Sequence, residues 1–512
     1  MVGDGFEMKW KYLVPLFLIV VVYFLFRLGW PDTIEFGYDQ PLLSSSVLNF
    51  INHPTFLNSF RYVSFNPWGY PSWGATQIFF WVPFLLITKD PIFISQLVVI
   101  FNLVGILTIF LIGKKFFSTT IGLVACLILA VHPWSIIFSR MIYEPTPVIT
   151  LVAISMFLSF SVLENPKSWY ISFLVTSWVF LFQVYVHTFS FILPSLALLI
   201  MNIRKISKKF LLIGIIFSVL LFLPAFNFFS EQSTGLSGLI KVSNKFIELR
   251  QVNPYGFGNI FYEFLGTLGG GRFRWQLGYG YDDFVKDFPF ANTAESYEVI
   301  TVLFLGLYHL VKLFIDKKIR VKRAFLFLWM IGPLWFLTLV KTPIALPRYF
   351  LLSLPAFSLL TAIFIEEMSD ALKSLKPIMF FLPILVSGFW LILIVNYYNF
   401  IGSFNYPSGF LSSYSDVPYS FLKKSFDWVK SDAARKNFDG FIISNDTNYP
   451  LEIRLNTAQG YYWDNMLSNN FATGKIGHYL MYFSPLPKDV NTPIGQFGPY
   501  VVYEYLGSEV KN

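Results

Sequence analysis

The chain has 512 residues, of which 55% are apolar and only 13% charged, against about 25% charged in an ordinary soluble protein. Water is thereby excluded as the solvent for most of its surface. The net charge of +8 sits in short basic clusters between apolar runs rather than on one polar face, which excludes nucleic acid as its explanation. The one cysteine, Cys126, lies in an apolar run, so neither a disulfide framework nor a cysteine metal site forms within one chain.

The apolar run from Tyr12 to Leu28 follows Lys9 and Lys11 like a signal sequence. It is long and lacks a small-x-small site before Gly29-Trp30-Pro31, so an uncleaved first helix is expected. Further spans are expected near 91–112, 119–138, 145–163, 168–186, 188–203, 210–229, 298–315, 324–340, 347–365 and 377–396. Together with 11–29 these make about eleven crossings, each near the roughly 20 residues that a bilayer core demands.

Alternate connections separate by charge. Lys114-Lys115, Lys167, Arg204-Lys205 with Lys208-Lys209, Lys317 to Arg323, and Lys373 with Lys376 fall on the side of Lys9, which the positive-inside rule makes cytoplasmic. Counting 75–87 as a span would invert this pattern, and its length of about 13 residues suits a helix lying in the outer interface. The opposite face then holds the first outer loop, 30–90, short turns at 139–144, 183–188 and 341–347, a long loop at 230–297, and the tail.

From about residue 405 the composition turns polar. Tyr419, Leu422, Phe426, Val429 and Ala433 share one helical face, while 440–444, 479–483 and 500–505 read as strands. The expected fold is an α-helical polytopic membrane domain over 1–400, with outer interfacial helices, followed by a small extracytoplasmic α/β domain over 401–512.

Ionisable groups at helix ends near a bilayer are costly, which makes them functional candidates. Asp32, Glu35 and Asp39 follow the first helix, just ahead of an interfacial helix at 41–51. A carboxylate at that depth can take a proton from an incoming hydroxyl. Asp39 also suits a helix cap, and Asp32 and Glu35 also read as solvated loop charges.

Ser139-Arg140-Met141-Ile142-Tyr143-Glu144 sets a cation and a carboxylate four residues apart, for an internal ion pair or for an anion site with an acceptor-orienting carboxylate. His187 lies between two spans, as a structural histidine or a site residue. Arg348 follows Pro347 at a helix start, where it either snorkels to the interface or binds a lipid phosphate. His132-Pro133-Trp134 reads as a kink with an aromatic anchor at the interface. Gly269-Gly270-Gly271-Arg272 lacks the flanking strand and helix of a phosphate loop.

This order of features resembles the membrane-embedded class C glycosyltransferases, in the branch of the protein O-mannosyltransferases and the lipid A aminoarabinose transferase. The resemblance covers about 11–396 and rests on the acidic first outer loop, the Ser-Arg…acidic turn and the Arg348-Tyr349 helix start. It implies that Asp39 is the catalytic base and that Arg348 holds the donor phosphate, with Lys341, Arg140 and His187 as further phosphate contacts. Gln40 replaces the second acidic residue of the family pattern, whose part passes to Glu144 or Glu35; Tyr38, Gln40 and Tyr349 are accessory candidates.

The implied reaction is inverting transfer of one sugar from a polyprenyl-phosphate carrier to an acceptor outside the cytoplasm, at a plasma or inner membrane. The acceptor is a protein, a lipid or a glycan, and dependence on a divalent metal stays open. Two rivals remain: a lipid-linked sugar flippase or transporter, and a non-catalytic scaffold for surface-glycan assembly. Transporters usually carry paired repeats with broken helices, and no clear repeat is present here.

Overall fold

The computed structural model describes residues 10–36, 39–55, 75–231, 256–278, 280–317, 319–340, 345–403, 418–438, 440–444, 476–483, 493–498 and 500–504. The first ten helices are α1 (Trp10–Leu28), α2 (Asp39–Asn52), α3 (Ala75–Ile87), α4 (Pro91–Phe116), α5 (Thr119–Val131), α6 (Pro133–Phe138), α7 (Val148–Glu164), α8 (Tyr170–Val184), α9 (Phe189–Met201) and α10 (Lys208–Glu231). After them come α11 (Phe257–Gly269), α12 (Arg274–Leu277), α13 (Gly280–Asp287), α14 (Phe290–Ile315), α15 (Arg320–Leu339), α16 (Pro347–Phe350), α17 (Leu354–Ala371), α18 (Lys376–Ser403) and α19 (Tyr419–Arg435).

Among the described residues, six helical stretches are long and apolar enough to cross a membrane: α1, α4, α14, α15, the run Pro347–Ala371, and α18. Shorter apolar helices, α5 and α7 to α9, complete the bundle. Phe17, Phe217, Phe314 and Leu385 are more than half exposed on its outside, as lipid-facing residues are. The chain is a multi-pass membrane protein.

Local chemistry sets the helix ends. Asp90 caps α4 by accepting the Ile92 N–H at 2.9 Å, with Pro91 in the first turn, and Ser118 caps α5 by accepting the Ile121 N–H at 3.0 Å. Glycine lets α4 and α5 touch, since a Cβ on Gly113 would collide with the Gly122 Cα. At the end that carries the lysine clusters, the wholly buried Arg323 pairs with Asp316 at 3.2 Å and with Glu367, joining α15 to α17.

Two expectations need correction. The 230–297 segment is no plain loop: α11 buries Ile260, Phe264, Leu265 and Leu268, and α14 begins at Phe290, eight residues ahead of the expected span. Trp134 is no interfacial anchor, being fully buried with its indole N–H donated to the Gly271 carbonyl at 2.7 Å. The break at His132 does form, and it separates α5 from α6.

In the tail, β1 (Gly440–Ser444), β2 (Ile476–Phe483), β3 (Gly495–Phe497) and β4 (Tyr500–Glu504) form one sheet in the order β1-β2-β4-β3. The β1–β2 pair is parallel, and the other two pairs are antiparallel. Helix α19 buries Tyr419, Leu422, Phe426, Val429 and Ala433 against it. That apolar cluster continues without a break into Phe36, into Leu43 and Val47 of α2, and into Trp81 of α3. The tail therefore shares its core with the segment that follows α1.

Candidate active site

Residues 30–36 run from α1 toward α2 and are fixed on three sides. The Tyr419 N–H donates to the Ile34 carbonyl at 2.8 Å, and the Ser420 hydroxyl donates to the Asp32 carbonyl at 2.7 Å, so the tail pairs with this loop directly. Glu35 is buried and accepts from Gln276 Nε2 at 2.7 Å and from the Tyr397 hydroxyl at 2.8 Å. Both carboxylate oxygens are thus engaged by neighbours from α12 and α18, the geometry of a tether. Arg140 donates to the Trp30 carbonyl and lies 4.5 Å from the centre of the Tyr398 ring, on which Trp30 stacks.

Asp39 is the first residue of α2. The adjacent Gln40 is buried, and its side-chain oxygen accepts the Ile142 N–H at 3.1 Å. The departure from the acidic pattern thus has a structural use: a neutral amide joins the helix bearing Asp39 to the 139–144 turn. Ser95 and Asn102 of α4 donate to the carbonyls of Arg140 and Ser139 at 2.5 and 3.1 Å, fixing the turn from below. Arg27, buried in the last turn of α1, donates to Ser139 Oγ at 2.7 Å, Ser135 Oγ at 3.0 Å and the Ala130 carbonyl at 2.6 Å.

The next residue of the turn carries the other half of the site. Tyr143 receives a hydrogen bond from Arg348, whose guanidinium lies 5.4 Å from the centres of both the Tyr143 and Tyr349 rings. Pro347 at the start of α16 presets the backbone there. The Tyr185 hydroxyl contacts the Arg348 carbonyl at 3.5 Å, and the His187 ring lies 4.3 Å from that of Tyr349. Burial, with the Arg348 guanidinium adding to it, pushes the His187 imidazole down to about 3, so it is neutral at pH 7. Glu144 lies within electrostatic reach of Tyr185, as Arg348 and Tyr349 do.

The structure thus gathers Arg348, Tyr349, His187 and Glu144 around Tyr143 and Tyr185, while Arg140 and Glu35 belong to the neighbouring set that holds the first loop. Lys341 and Tyr38 lie outside the described residues. The sequence reading passed over Arg27, Tyr143, Tyr185, Gln276 and Tyr397. An arginine inside an apolar helix was the signal for the first; the tyrosines carried none beyond their place in the turns.

The Gly269–Gly271 turn ends α11 with Gly270 in the left-handed region at φ 98°, and no phosphate cradle forms. Arg272 beside it is engaged by Glu263, with Nε donating at 2.8 Å, and by Glu295 at 2.5 Å. Among the described residues, no group of three or more His, Cys, Asp or Glu side chains is placed to hold a metal ion.

Residues 78–228, less than a third of the chain, match the family model described as dolichyl-phosphate-mannose-protein mannosyltransferase. No curated protein matches the sequence. Among solved structures, ArnT from Cupriavidus metallidurans, crystallised with undecaprenyl phosphate, superposes with a TM-score of 0.58 at 9% identity, over 97% of this chain and 98% of that one. The chain therefore shares the fold of ArnT, and its 78–228 segment matches a mannosyltransferase family model.

Proposed function

We propose that this protein is a glycosyltransferase that moves one monosaccharide from a polyprenyl-phosphate carrier to an acceptor outside the cytoplasm. The observation that carries this reading is the 139–144 turn, where Ile142 binds the neighbour of Asp39 and Tyr143 binds Arg348. Gln40, next to the candidate base, and Arg348, the candidate phosphate ligand, thus contact consecutive residues of one turn, which supports this reading. The fold shared with a protein crystallised with undecaprenyl phosphate supports an isoprenoid phosphate as the carrier.

In the proposed reaction, the Asp39 carboxylate takes the acceptor hydroxyl proton as that oxygen attacks the anomeric carbon. The bond from that carbon to the phosphate oxygen breaks on the opposite face, and the configuration inverts. The carrier leaves as a phosphate monoester with one more negative charge, which the Arg348 guanidinium offsets with the Tyr143 hydroxyl beside it. A neutral His187 is suited to donate a hydrogen bond at the same place without adding charge. Glu144 orients the acceptor, Glu35 and Gln40 position the loop, and Lys341 and Arg140 supply further positive potential. The proposed topology has about eleven crossings, an inside N-terminus and a tail outside, in the plasma or inner membrane. Residues 1–400 form the membrane domain and 401–512 the extracytoplasmic one.

The test is to incubate purified protein with radiolabelled polyprenyl-phosphate sugars and an extracted mixture of protein, lipid and glycan acceptors. Label transfer that depends on the protein supports the enzyme. Carrier movement across vesicles without transfer indicates a flippase, and the absence of both activities indicates a scaffold.

A further inference from the structure

Between α14, α17 and α18 lies a cavity of about 450 Å³, walled by Leu305, Phe357, Phe364, Phe389 and Trp390. These elements differ from those around Arg348, whose partners come from the 139–144 turn and the turn between α8 and α9. Tyr297, Phe304 and Leu385, at 68, 56 and 54% exposure, form its rim, so the groove opens sideways from the bundle toward lipid.

One acidic side chain among the described residues, Glu298, lines the groove. Both of its carboxylate oxygens are buried with no hydrogen-bond partner within 3.5 Å among the described residues, and the Trp390 indole bears on them only as a longer-range donor. The acidic residues nearby are each supplied: Glu263 by Arg272 and Trp275, and Glu295 by Arg272 and Tyr281. The Trp390 indole beside Glu298 gives its N–H to the Gly269 carbonyl at 2.9 Å, and the Thr301 and Thr361 hydroxyls donate back to the Tyr297 and Phe357 carbonyls. The Gly271 Cα packs against the carboxylate, where a Cβ would meet Glu298 Oε2, so the triple-glycine turn keeps that seat clear.

A carboxylate in an apolar wall calls for a cation or a hydrogen-bond donor. We infer that this groove binds an aminophospholipid of the outer leaflet, its primary ammonium on Glu298 and one acyl chain in the apolar cavity. The sign of the charge separates this site from the Arg348 site, since the first selects a cation and the second an anion. The inference rests on the proposed orientation, with the start of α14 on the outer side, and is independent of the transfer chemistry.

Native mass spectrometry of the purified full chain tests it, with dioleoyl phosphatidylethanolamine, phosphatidylcholine and phosphatidylglycerol offered in turn. The wild type is expected to retain the ethanolamine lipid at least about fivefold over the other two, because of the three headgroups only the primary ammonium combines a positive charge with hydrogen-bond donors. Glu298→Gln brings the three to parity, and Thr301→Trp at the groove mouth lowers retention of all three. Equal retention of the three lipids by the wild type overturns the site without any variant, as does full ethanolamine preference in Glu298→Gln. Failure of sugar transfer alone leaves these outcomes unchanged.

Discussion

Residues 30–36 and the surroundings of Arg348 flank the same turn, 139–144, and are held in different ways. The loop is fixed by directional bonds to backbone carbonyls and by a carboxylate whose two oxygens are both engaged. Arg348 has among its contacts two ring faces, those of Tyr143 and Tyr349, and the Tyr143 hydroxyl. Saturated polar bonds fix a backbone to within tenths of an ångström, which suits the placement of a base. Aromatic faces attract a guanidinium from any approach within about 6 Å, which suits a cation that has to follow a departing phosphate.

The comparison is broken most severely at the cation. Arg348→Ala is expected to lower the transfer rate by about 10²–10³-fold, the usual cost of losing one group that stabilises developing charge. Arg348→Lys recovers part of it, since a lysine keeps the charge and loses the planar fork. Single-turnover kinetics with labelled donor measure both, and an unchanged rate in the alanine variant removes Arg348 from the site.

A smaller effect is expected at the tether. Glu35→Gln sets an amide NH₂ against a donor from Gln276 or Tyr397, a mismatch costing about 1–3 kcal/mol. If the loop only positions the base, kcat falls by about tenfold or more while the donor KM stays constant. A raised donor KM with constant kcat assigns Glu35 to carrier binding instead.

The smallest effect lies in the tail. Burial raises the Asp432 pKa, but hydrogen bonds from Arg435, Lys436 and Tyr479 outweigh it and hold the carboxyl below its ordinary value. A folded-state pKa below the unfolded one means that this carboxylate stabilises the tail above about pH 4 and ceases to as pH falls through the folded value. Asp432→Asn should therefore loosen the tail by about 1 kcal/mol at pH 7 and by nothing once pH lies below that value. Hydrogen exchange of α19 amides across that range measures it; a gap between wild type and variant that persists into acid contradicts the assignment.

Much of the bundle was legible because a bilayer imposes one length and one polarity on each span, and both are written in consecutive residues. Helix α14 was set too short because its first turns, Phe290 to Tyr297, are polar in composition, with Glu295 buried there against Arg272 and Tyr281 of the preceding segment. Helices α11 to α13 went unread since they are short, amphipathic and punctuated by glycine, so a window tuned to spans averages them away. Candidate residues at the turns were visible as ionisable groups at helix ends. Their partners were not: the bonds from Tyr419 and Ser420 to the first loop join positions almost 400 residues apart, and no local period encodes such a pairing. Trp134 shows the converse error, because an aromatic near a span end looks the same in sequence whether it meets headgroups or a buried carbonyl.

The central claim, a carboxylate at the start of α2 acting on an acceptor while Arg348 grips the carrier phosphate, is tested most directly by Asp39→Asn in a single-turnover assay with donor binding measured on the same sample. The variant is expected to bind polyprenyl-phosphate sugar like the wild type and to transfer it at least a hundredfold more slowly, the scale of a lost general base. Transfer at the wild-type rate with donor bound contradicts the account.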